Sequence, residues 1–336
     1  MSPTPAPIPE PISRRQFLHR SAAATAAAST AASWGLAGAG TVRADFRHRW
    51  NEATDPAAEG LSAYVNHGTL FVRHDNLPVL SYRAQPSLKY PYFAQLNGPV
   101  SGLSLVTESA LPYPHHRGLW LGCEPLEGGD YWSDGSLESG QIRSSGPRLV
   151  GDGKEGPVVF EDQCEWIREG APSPWQDRRR FEVTRPREDL VVIDCEFEIT
   201  ARMDIAVRRA KHSFFAMRAA PDISPTYGGV LANSEGATGA EGTYGKPARW
   251  CGYHGARRLR PDLVEGIAIL DHPSNFGGDC PWFTRDYGHL SPQPFEFLDQ
   301  PFRLAEGDKL ELNYRVALHA GTPVEAGLDA LSDEWV

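Results

Sequence analysis

The stretch LVVIDCEFEI, residues 190–199, carries an apolar side chain at every second position and acidic side chains between several of them. Successive side chains of a β-strand point to opposite faces of a sheet. The pattern therefore predicts a strand with one face in a core and the other towards water. Cys195 falls on the apolar side, and we expect it to be a buried thiol.

The same alternation recurs along the chain on both sides of this stretch. The alternating runs are SAYVNHGTLFVRH, LPVLSYR, RFEVTR, DIAVRR, SFFAMRAA, GIAILDH and KLELNYRVALH, and 33 glycines and 28 prolines punctuate the chain. A helical start is recognisable near the C-terminus, where TPVE at residues 322–325 has the form of a capped first turn. We predict an all-β fold, a large antiparallel β-sandwich with one short C-terminal helix, and residues 145–180 as a long loop excursion.

The N-terminal residues predict the compartment. SRRQFL at residues 13–18 precedes an alanine-rich run that reaches about Gly40, which is the pattern of a twin-arginine export signal. A small-x-small cleavage site, VRA, stands at residues 42–44. We therefore predict a signal peptide over residues 1–44 and a single β-sandwich domain over residues 45–336. The protein is expected in the periplasm or outside the cell, with no membrane attachment after cleavage.

Charge and cysteine content narrow the classes of partner. The formal net charge of −10 argues against nucleic acid and against an anionic membrane surface. The five cysteines are odd in number and never two residues apart, which argues against a zinc knuckle and a full disulfide framework. A neutral or cationic small ligand, or a glycan, remains as the expected partner.

Residues 113–120, YPHHRGLW, concentrate proton-transfer, anion-binding and stacking groups at one turn. In an extended strand His115 and His116 point to opposite faces, whereas a bend aims both at one pocket. An imidazole exchanges protons near neutral pH, and a guanidinium holds a carboxylate or a polarised oxygen. We predict His116 as a catalytic acid or base and His115, Arg117 and Trp120 as substrate-binding residues. The alternative is a pair of histidines that only ties down a loop.

Two further segments carry charged candidates. In the run KHSFFAMR, Lys211 and Arg218 fall on opposite faces of a regular strand, so one lines a site while the other faces water. In the glycine-rich stretch NSEG, Glu235 is a candidate general base, because partial desolvation moves the pKa of a carboxyl group towards neutrality. An exposed loop glutamate is the alternative.

The stretch DHPSN places the Asp271 carboxylate beside the His272 imidazole at a strand end, where loop chemistry is usually built. The following segment WFTRDYG supplies an indole for stacking and an arginine. The alternative is a turn at Asp271 and aromatic residues that belong to the core. Beyond the YPHHRGLW turn, the candidates are therefore His272, Asp271 and Glu235 for catalysis, and Lys211, His212, Arg218, Asn233, Asn275, Trp282, Arg285, Asp286 and Tyr287 for substrate binding.

Metal and nucleophile signatures are weak. Side chains with suitable nitrogen and oxygen ligands are present at His115, His116, His212, His272 and Asp271, but no HExxH or similar spacing supports a site. The chain also lacks a GxSxG elbow and a glycine-rich phosphate loop. We therefore predict no cofactor.

Taken together, PHHRGLWLG, KHSFFAMRAA, NSEG, GKPARW, GIAILDHPSN and WFTRDYG resemble a bacterial family labelled PmoA, an exported domain of unknown function numbered 6807. The likeness runs from about residue 60 to the run at 302–319. It implies a galactose-mutarotase-like supersandwich and a context of sugar processing. The methane-monooxygenase label does not fit a mature chain without a spanning segment. Cys123 and Phe283 stand where the family pattern leads us to expect histidines.

These observations predict an exported carbohydrate-active protein, with an enzyme as the leading interpretation: a hydrolase, lyase or epimerase acting on a glycoside or an oxidised sugar. The expected roles are acid or base for His116 or His272, partner carboxylate for Glu235 or Asp271, oxygen clamps for Arg117 and Arg285, and stacking platforms for Trp120 and Trp282. The second hypothesis is a non-catalytic glycan-binding module. It is favoured by Cys123 and Phe283, which stand where the family pattern leads us to expect histidines. The third is a metal-dependent oxygenase.

Overall fold

The structure is a computed structural model that describes residues 59–133, 135–210, 212–278 and 280–335. The predicted signal peptide and Lys211 lie outside the described residues. The described strands are β1 (Leu61–Asn66), β2 (Thr69–His74), β3 (Leu77–Arg83), β4 (Tyr92–Leu96), β5 (Leu119–Glu124), β6 (Gln141–Ser144), β7 (Arg148–Asp152), β8 (Val158–Ile167), β9 (Trp175–Arg187), β10 (Leu190–Ala201), β11 (Ile205–Val207), β12 (His212–Arg218), β13 (Val230–Asn233), β14 (Trp250–Arg257), β15 (Arg260–Asp271), β16 (Trp282–Thr284), β17 (His289–Pro292), β18 (Phe302–Leu304) and β19 (Lys309–Ala320). The α-helices are α1 (Gly239–Thr243), α2 (Pro323–Ala326) and α3 (Leu328–Asp333).

Two large sheets contain most of these strands. The eight-stranded sheet has the order β1-β2-β3-β4-β5-β12-β17-β16, and the nine-stranded sheet has the order β13-β14-β15-β19-β10-β9-β8-β6, with β7 beside β8. Strands β11 and β18 form a separate pair. Neighbouring strands in the two large sheets run antiparallel, so the prediction of an all-β antiparallel sandwich is confirmed.

Strand β10 shows why the alternating pattern decides the fold. It lies between β9 and β19 and pairs with both. Its core-facing side chains are at most 3% exposed, and they are Val191, Ile193, Cys195, Phe197 and Ile199. The intervening acidic residues lie on the outer face. Cys195 is a free, buried thiol as predicted, and burial raises the pKa of this thiol well above its usual value.

An aromatic layer joins the two sheets. Tyr82 and Phe93 of the eight-stranded sheet meet Phe160 and Phe181 of the nine-stranded sheet. The ring centroids of Tyr82 and Phe160 are 5.5 Å apart, and those of Phe93 and Phe181 are 5.0 Å apart in an edge-on arrangement. Aromatic pairs of this geometry each contribute about 0.5–1.5 kcal/mol beyond the area they bury. The layer therefore fixes the sheets against each other.

The predicted loop excursion at residues 145–180 is wrong. This segment forms β7, β8 and the start of β9 in the nine-stranded sheet. Asp162 interrupts the apolar alternation of β8, because it occupies a core-facing position. Its carboxylate accepts hydrogen bonds from the Ser144 hydroxyl at 2.6 Å and from the Tyr82 hydroxyl at 2.9 Å. These bonds allow an acidic residue where the pattern calls for an apolar one.

A buried ion pair lies beside this aspartate. The Arg179 guanidinium donates to both oxygens of Asp177 at 2.6 and 3.1 Å, and the Trp166 indole N–H donates to the same carboxylate at 2.6 Å. Arg179 is 1% exposed and Asp177 is 3% exposed. Desolvation of such charges is tolerated only when the pair is complete and well bonded. The two strands β8 and β9 are therefore coupled by a polar contact inside the sandwich.

The predicted C-terminal helix is present and begins at a capping box. The Thr322 hydroxyl accepts the backbone N–H of Glu325, whose carboxylate accepts the Thr322 N–H in return. The helix is divided into α2 and α3 by Gly327, which has a φ of +74°. Both halves pack on the outer face of the nine-stranded sheet, against a small apolar patch that includes Val192, Leu270 and Ala317.

We expect Arg179→Ala to lower the free energy of unfolding by about 3–5 kcal/mol, because it leaves the Asp177 carboxylate buried without its counter-charge. The matched control is Arg180→Ala. The neighbouring Arg180 pairs with Glu182 and Glu196 on the outer face, and its loss should cost about 0–1 kcal/mol. Urea denaturation of both variants measures the difference. Equal losses in the two variants would contradict the stabilising role of the buried pair.

Candidate functional site

The outer face of the eight-stranded sheet carries a group of aromatic and cationic side chains at β5, β12 and β17. In the strand register Trp120 lies opposite Ala216, and Arg218 lies opposite His289. Loops fold over these residues and add further rings. We refer to the whole group as the outer-face cluster, and it consists of Tyr113, His115, His116, Trp120, Trp132, Arg218, Tyr287 and His289.

The YPHHRGLW turn is bent, and the bend brings both histidines into the cluster. The backbone N–H of His116 donates to the Tyr113 carbonyl at 3.1 Å, and the two imidazole centroids lie 4.7 Å apart at an interplanar angle of 88°. Gly118 makes the bend possible. It has a φ of +61°, and a Cβ at this position would lie 1.9 Å from the Phe93 carbonyl oxygen, so no other residue fits.

The His116 ring lies at the centre of the cluster. It stacks on Tyr113 at 5.1 Å, on Trp132 at 5.3 Å and on Trp120 at 5.7 Å, with interplanar angles below 30°. The His289 ring lies 4.6 Å from it. His116 is 4% exposed, whereas Tyr113 is 39% exposed. The cluster is therefore a buried stack with an aromatic rim at the surface.

Asp130 holds the loop that delivers Trp132. Its carboxylate accepts the backbone N–H of Trp132 at 2.9 Å and that of Ser133 at 2.8 Å, and it also accepts the Ser133 hydroxyl. Burial raises the pKa of Asp130, but these hydrogen bonds outweigh burial, and the pKa lies below its usual value. Asp130 is therefore an ionised anchor for the loop.

Arg218 is the buried cation of the cluster. It is 5% exposed, and burial lowers the pKa of its guanidinium. Its Nη1 lies 3.3 Å from Nδ1 of His116, and its guanidinium carbon lies 4.4 Å from the Tyr287 ring centroid. A guanidinium only donates hydrogen bonds, so Nδ1 of His116 accepts and the ring proton sits on Nε2. This geometry suits His116 as a hydrogen-bond donor through Nε2 better than as a general base.

The segment after β16 completes one side of the cluster. The Arg285 guanidinium lies over the Phe283 ring at 4.1 Å and over the Tyr244 ring at 4.8 Å, and it donates to the Thr284 carbonyl at 2.8 Å. Phe283 also meets His289 edge-on at 5.3 Å. The Tyr287 ring reaches the histidine turn, at 5.2 Å from Tyr113 and 6.1 Å from His116, and Arg285 lies beside it on the Phe283 ring.

Asp286 holds the neighbouring loop instead of facing the cluster. Its carboxylate accepts the backbone N–H of Ala240 in α1 at 2.8 Å, and its side chain is exposed.

Two other predicted binding residues lie near the ends of strands in the cluster's sheet. Arg117 is half-buried, with its guanidinium carbon 6.0 Å from the Tyr92 ring. His212 opens β12 opposite Glu124.

Trp282 is not a stacking platform, contrary to the prediction. It is fully buried in the core between the sheets, and its indole N–H donates to the Ala248 carbonyl at 2.9 Å. Trp282 and Phe283 are adjacent in β16 and therefore point to opposite faces. Phe283 is the one that faces the cluster.

Asp271, His272 and Asn275 are held by the nine-stranded sheet and the C-terminal segment. Asn275 donates to Asp271 and to the Asn313 carbonyl, both at 2.7 Å, and accepts the Asn313 N–H at 2.7 Å. Nδ1 of His272 lies 2.6 Å from the Ser274 hydroxyl, and its ring meets Trp335 edge-on at 4.9 Å. These bonds close a turn at the end of β15, and they correspond to the alternative interpretation of this stretch.

Glu235 and Asn233 form a similar local turn. The Asn233 side-chain oxygen accepts the backbone N–H groups of Glu235 at 3.1 Å and Ala237 at 2.9 Å. The Glu235 side chain is exposed and accepts the Ser234 hydroxyl at 3.0 Å. Asn233 therefore shapes a loop, and the assignment of Glu235 as a general base gains no support from its surroundings.

Sequence reasoning missed three members of the cluster as site residues: Tyr113, Trp132 and His289. Tyr113 lies within the YPHHRGLW turn and Trp132 follows it closely in the sequence. Their aromatic side chains, so near the two histidines, were the signal that could have identified them. His289 carried no local signal, because its place depends on the pairing of β17 with β12. Cys123, in turn, lies on the core face of β5 and is fully buried.

Grooves lie on the outer faces of both large sheets. One, of about 480 Å³, continues the cluster's own face across β2, β3 and β4, and polar side chains such as Arg83, Gln85 and Gln95 line it. A larger groove, of about 560 Å³, lies on the nine-stranded sheet. Its arginines pair with neighbouring carboxylates, as in Arg143–Glu165, so the charges of this sheet surface neutralise one another.

In the described part of the chain, no three metal-binding side chains of His, Cys, Asp or Glu converge.

A family model described as a family of unknown function, DUF6807, matches residues 69–333. The chain belongs to the DUF6807 family. The resemblance found in the sequence motifs is therefore confirmed. No curated protein matches this DUF6807 chain. Within the described residues, none of its helices has the length and apolar character of a membrane span.

Two solved structures show a distant likeness to the DUF6807 chain. One is a protein from the human microbiome assigned as a kojibiose phosphorylase, with 8% identity and a TM-score of 0.36 over 82% of this chain and 36% of that one. The other is a polysaccharide lyase, with 12% identity and a TM-score of 0.28 over 79% of this chain and 33% of that one. This chain matches about a third of the length of either protein. Likeness at this level carries no functional argument.

The stacked indoles of Trp120 and Trp132 provide a spectroscopic signature of the cluster. Their ring centroids are 6.0 Å apart at 19°, which is close enough for their electronic transitions to couple. We expect both Asp130→Ala and Trp132→Phe to abolish the coupled signal in circular dichroism, the former because the loop loses its anchor and about 1–3 kcal/mol of local bonding. The control is Asp152→Ala at the end of β7, where the carboxylate accepts the Lys154 backbone N–H away from the cluster. An unchanged spectrum of Asp130→Ala would contradict the anchoring role.

Proposed function

We propose that this DUF6807 protein is an exported carbohydrate-active enzyme that acts on a glycoside or an oxidised sugar at the outer-face cluster. The observation that carries the proposal is the convergence of imidazole, guanidinium and aromatic groups on one sheet face. Aromatic faces pack against the C–H groups of a pyranose, and imidazoles transfer protons near neutral pH. Together these groups supply both recognition and chemistry.

The surroundings of the cluster support a sugar chain as the ligand. Tyr113 and Tyr287 present partly exposed rings at the rim. The groove across β2, β3 and β4 lies on the same face, and arginine, glutamine, serine and threonine side chains line it together with Phe71 and Leu88. Glutamine, serine and threonine side chains exchange hydrogen bonds with sugar hydroxyls in either direction, and arginine donates to them. A saccharide that stacks at the rim can therefore extend along the sheet.

The imidazoles of His116 and His115 suit different roles. His116 is oriented by Arg218 and offers an Nε2 donor, which suits stabilisation of a developing negative charge on oxygen. His115 is half-buried at the edge of the stack and is the better candidate for proton transfer with a bound sugar. Glu235 and Asp271 sit in separate turns. A lyase or an epimerase therefore fits the geometry better than a hydrolase that uses a carboxylate pair.

The second candidate is a glycan-binding module without turnover. The observation that favours it is Phe283, which occupies the position beside His289 where the family resemblance leads us to expect a histidine. Binding without catalysis would need only the aromatic rim and the cations. Export through a twin-arginine signal is part of both proposals and rests on Arg14 and Arg15 in the sequence.

Separate substitutions of His115 and Tyr113 distinguish the two candidates on a panel of oligosaccharides. For an enzyme, His115→Ala lowers kcat by about 10²–10⁴-fold with little change in affinity, whereas Tyr113→Ala raises KM or Kd. For a binding module, neither variant has any turnover to lose, and both affect affinity alone. Glu235→Gln and His272→Ala serve as controls and should stay within about twofold of the wild type. Loss of turnover in these controls with normal turnover in His115→Ala would overturn the proposed site.

A further inference from the structure

We infer that Arg218 and Arg285 form a carboxylate subsite beside Tyr287, and that the ligand of the outer-face cluster is therefore a sugar acid of the uronate class. This inference rests on the proposed function and adds the chemical class of the substrate. It comes from an imbalance of charge within the fold, which is seen most clearly by comparing the buried arginines.

Three arginines of the described residues are buried: Arg179, Arg218 and Arg257. Arg179 is paired with Asp177 at 2.6 Å. Arg257 lies 3.5 Å from Glu265 and 3.6 Å from Asp222. Arg218 has no carboxylate within ion-pair distance among the described residues. A buried charge is expensive unless it is paired, so the fold leaves at Arg218 an uncompensated cation that it avoids at the other two positions.

The donors of Arg218 are also largely unused. Its Nη1 contacts Nδ1 of His116, while its Nε is buried and has no hydrogen-bond partner. The described groups around it are phenol rings, with Tyr287 under the guanidinium at 4.4 Å. Tyrosine faces stabilise a cation but leave its N–H donors free. A guanidinium with free donors in one plane matches the two oxygens of a carboxylate.

Arg285 is a second cation of this region and lies two residues before Tyr287 in the chain. It rests on the rings of Phe283 and Tyr244 and has one hydrogen bond, to the Thr284 carbonyl. The described residues give it no carboxylate partner either. Burial and Tyr113 raise the pKa of Tyr287, while the nearby Arg218 and Arg285 lower it. Arg218 on the Tyr287 ring and Arg285 on the neighbouring Phe283 ring together form a local positive centre.

The position of this centre fits the rest of the cluster. Tyr113 lies 5.2 Å from Tyr287 and belongs to the partly exposed rim. A pyranose stacked on the rim can direct its C5 carboxylate towards the cations. The overall charge of −10 does not oppose this arrangement, because interactions between charges beyond about 8–10 Å are screened at physiological ionic strength. Local charge therefore decides which ligand is favoured.

The test compares each uronate oligosaccharide with its neutral, carboxyl-reduced counterpart by titration of the tryptophan fluorescence. The panel contains galacturonate, glucuronate and mannuronate oligomers, and a sulfated neutral oligomer. We expect the wild-type protein to bind at least one uronate at least about tenfold more tightly than its reduced form. Arg218→Gln should abolish this preference, Arg218→Lys should restore part of it, and Arg285→Gln should weaken it. Arg178→Gln on the other sheet is the control and should bind as the wild type does.

The outcomes separate this inference from the proposed function. Equal binding of acidic and neutral oligomers that still depends on Tyr113 overturns the carboxylate subsite and leaves the sugar site intact. A preference for the sulfated oligomer overturns the carboxylate assignment. Absence of binding across the panel overturns both. Arg285 is only half-buried, so Arg285→Gln provides the comparison if Arg218→Gln does not fold.

Discussion

The apolar faces of the two sheets must be buried against each other, and this requirement fixes the direction of the side chains along each regular strand. Leu119 and Leu121 are buried in the core on one face of β5. Trp120 therefore lies on the opposite face, and strand pairing places Arg218 and His289 beside it. The site is thus a geometric consequence of the core, since the same alternation that packs the sandwich presents indole, guanidinium and imidazole groups on its outer surface.

The outer face of the eight-stranded sheet is covered at the cluster by loops and is not open to solvent there. The loops that carry His116 and Trp132 fold over it and bury most of the polar atoms, which raises the energetic importance of every unpaired group. Inside the sandwich, the Arg179–Asp177 pair shows how the fold satisfies a buried charge. At the outer-face cluster the corresponding partner of Arg218 is missing from the described residues, and a ligand that supplies a carboxylate would complete the arrangement.

Much of the sandwich was predictable from alternation, as β10 shows, because one apolar side and one acidic side leave a single orientation. Strand β8 was missed because Asp162 breaks the pattern, and the hydrogen bonds that compensate for it come from Ser144 and from Tyr82 on the other sheet. Such compensation depends on contacts distant in sequence. Residues of a single strand therefore do not reveal it.

The candidate site was predictable only in part for the same reason. The histidine turn was recognised from its local composition, and its bend follows from Gly118. Trp282 was misassigned, because two adjacent aromatic residues give no sign of which one faces the core. On β12, Phe214 has a φ of +57°, a conformation that a regular strand does not contain, so faces counted along this run from sequence alone were unreliable. His289 required knowledge of strand register.

The most direct test of the account is a crystal structure of the protein soaked with the saccharide to which it binds best in solution. We predict a pyranose ring packed on the Tyr113 and Tyr287 rim, with the saccharide continuing across the eight-stranded sheet. Density for the sugar in the charged groove of the nine-stranded sheet, with the outer-face cluster unaltered, would contradict it.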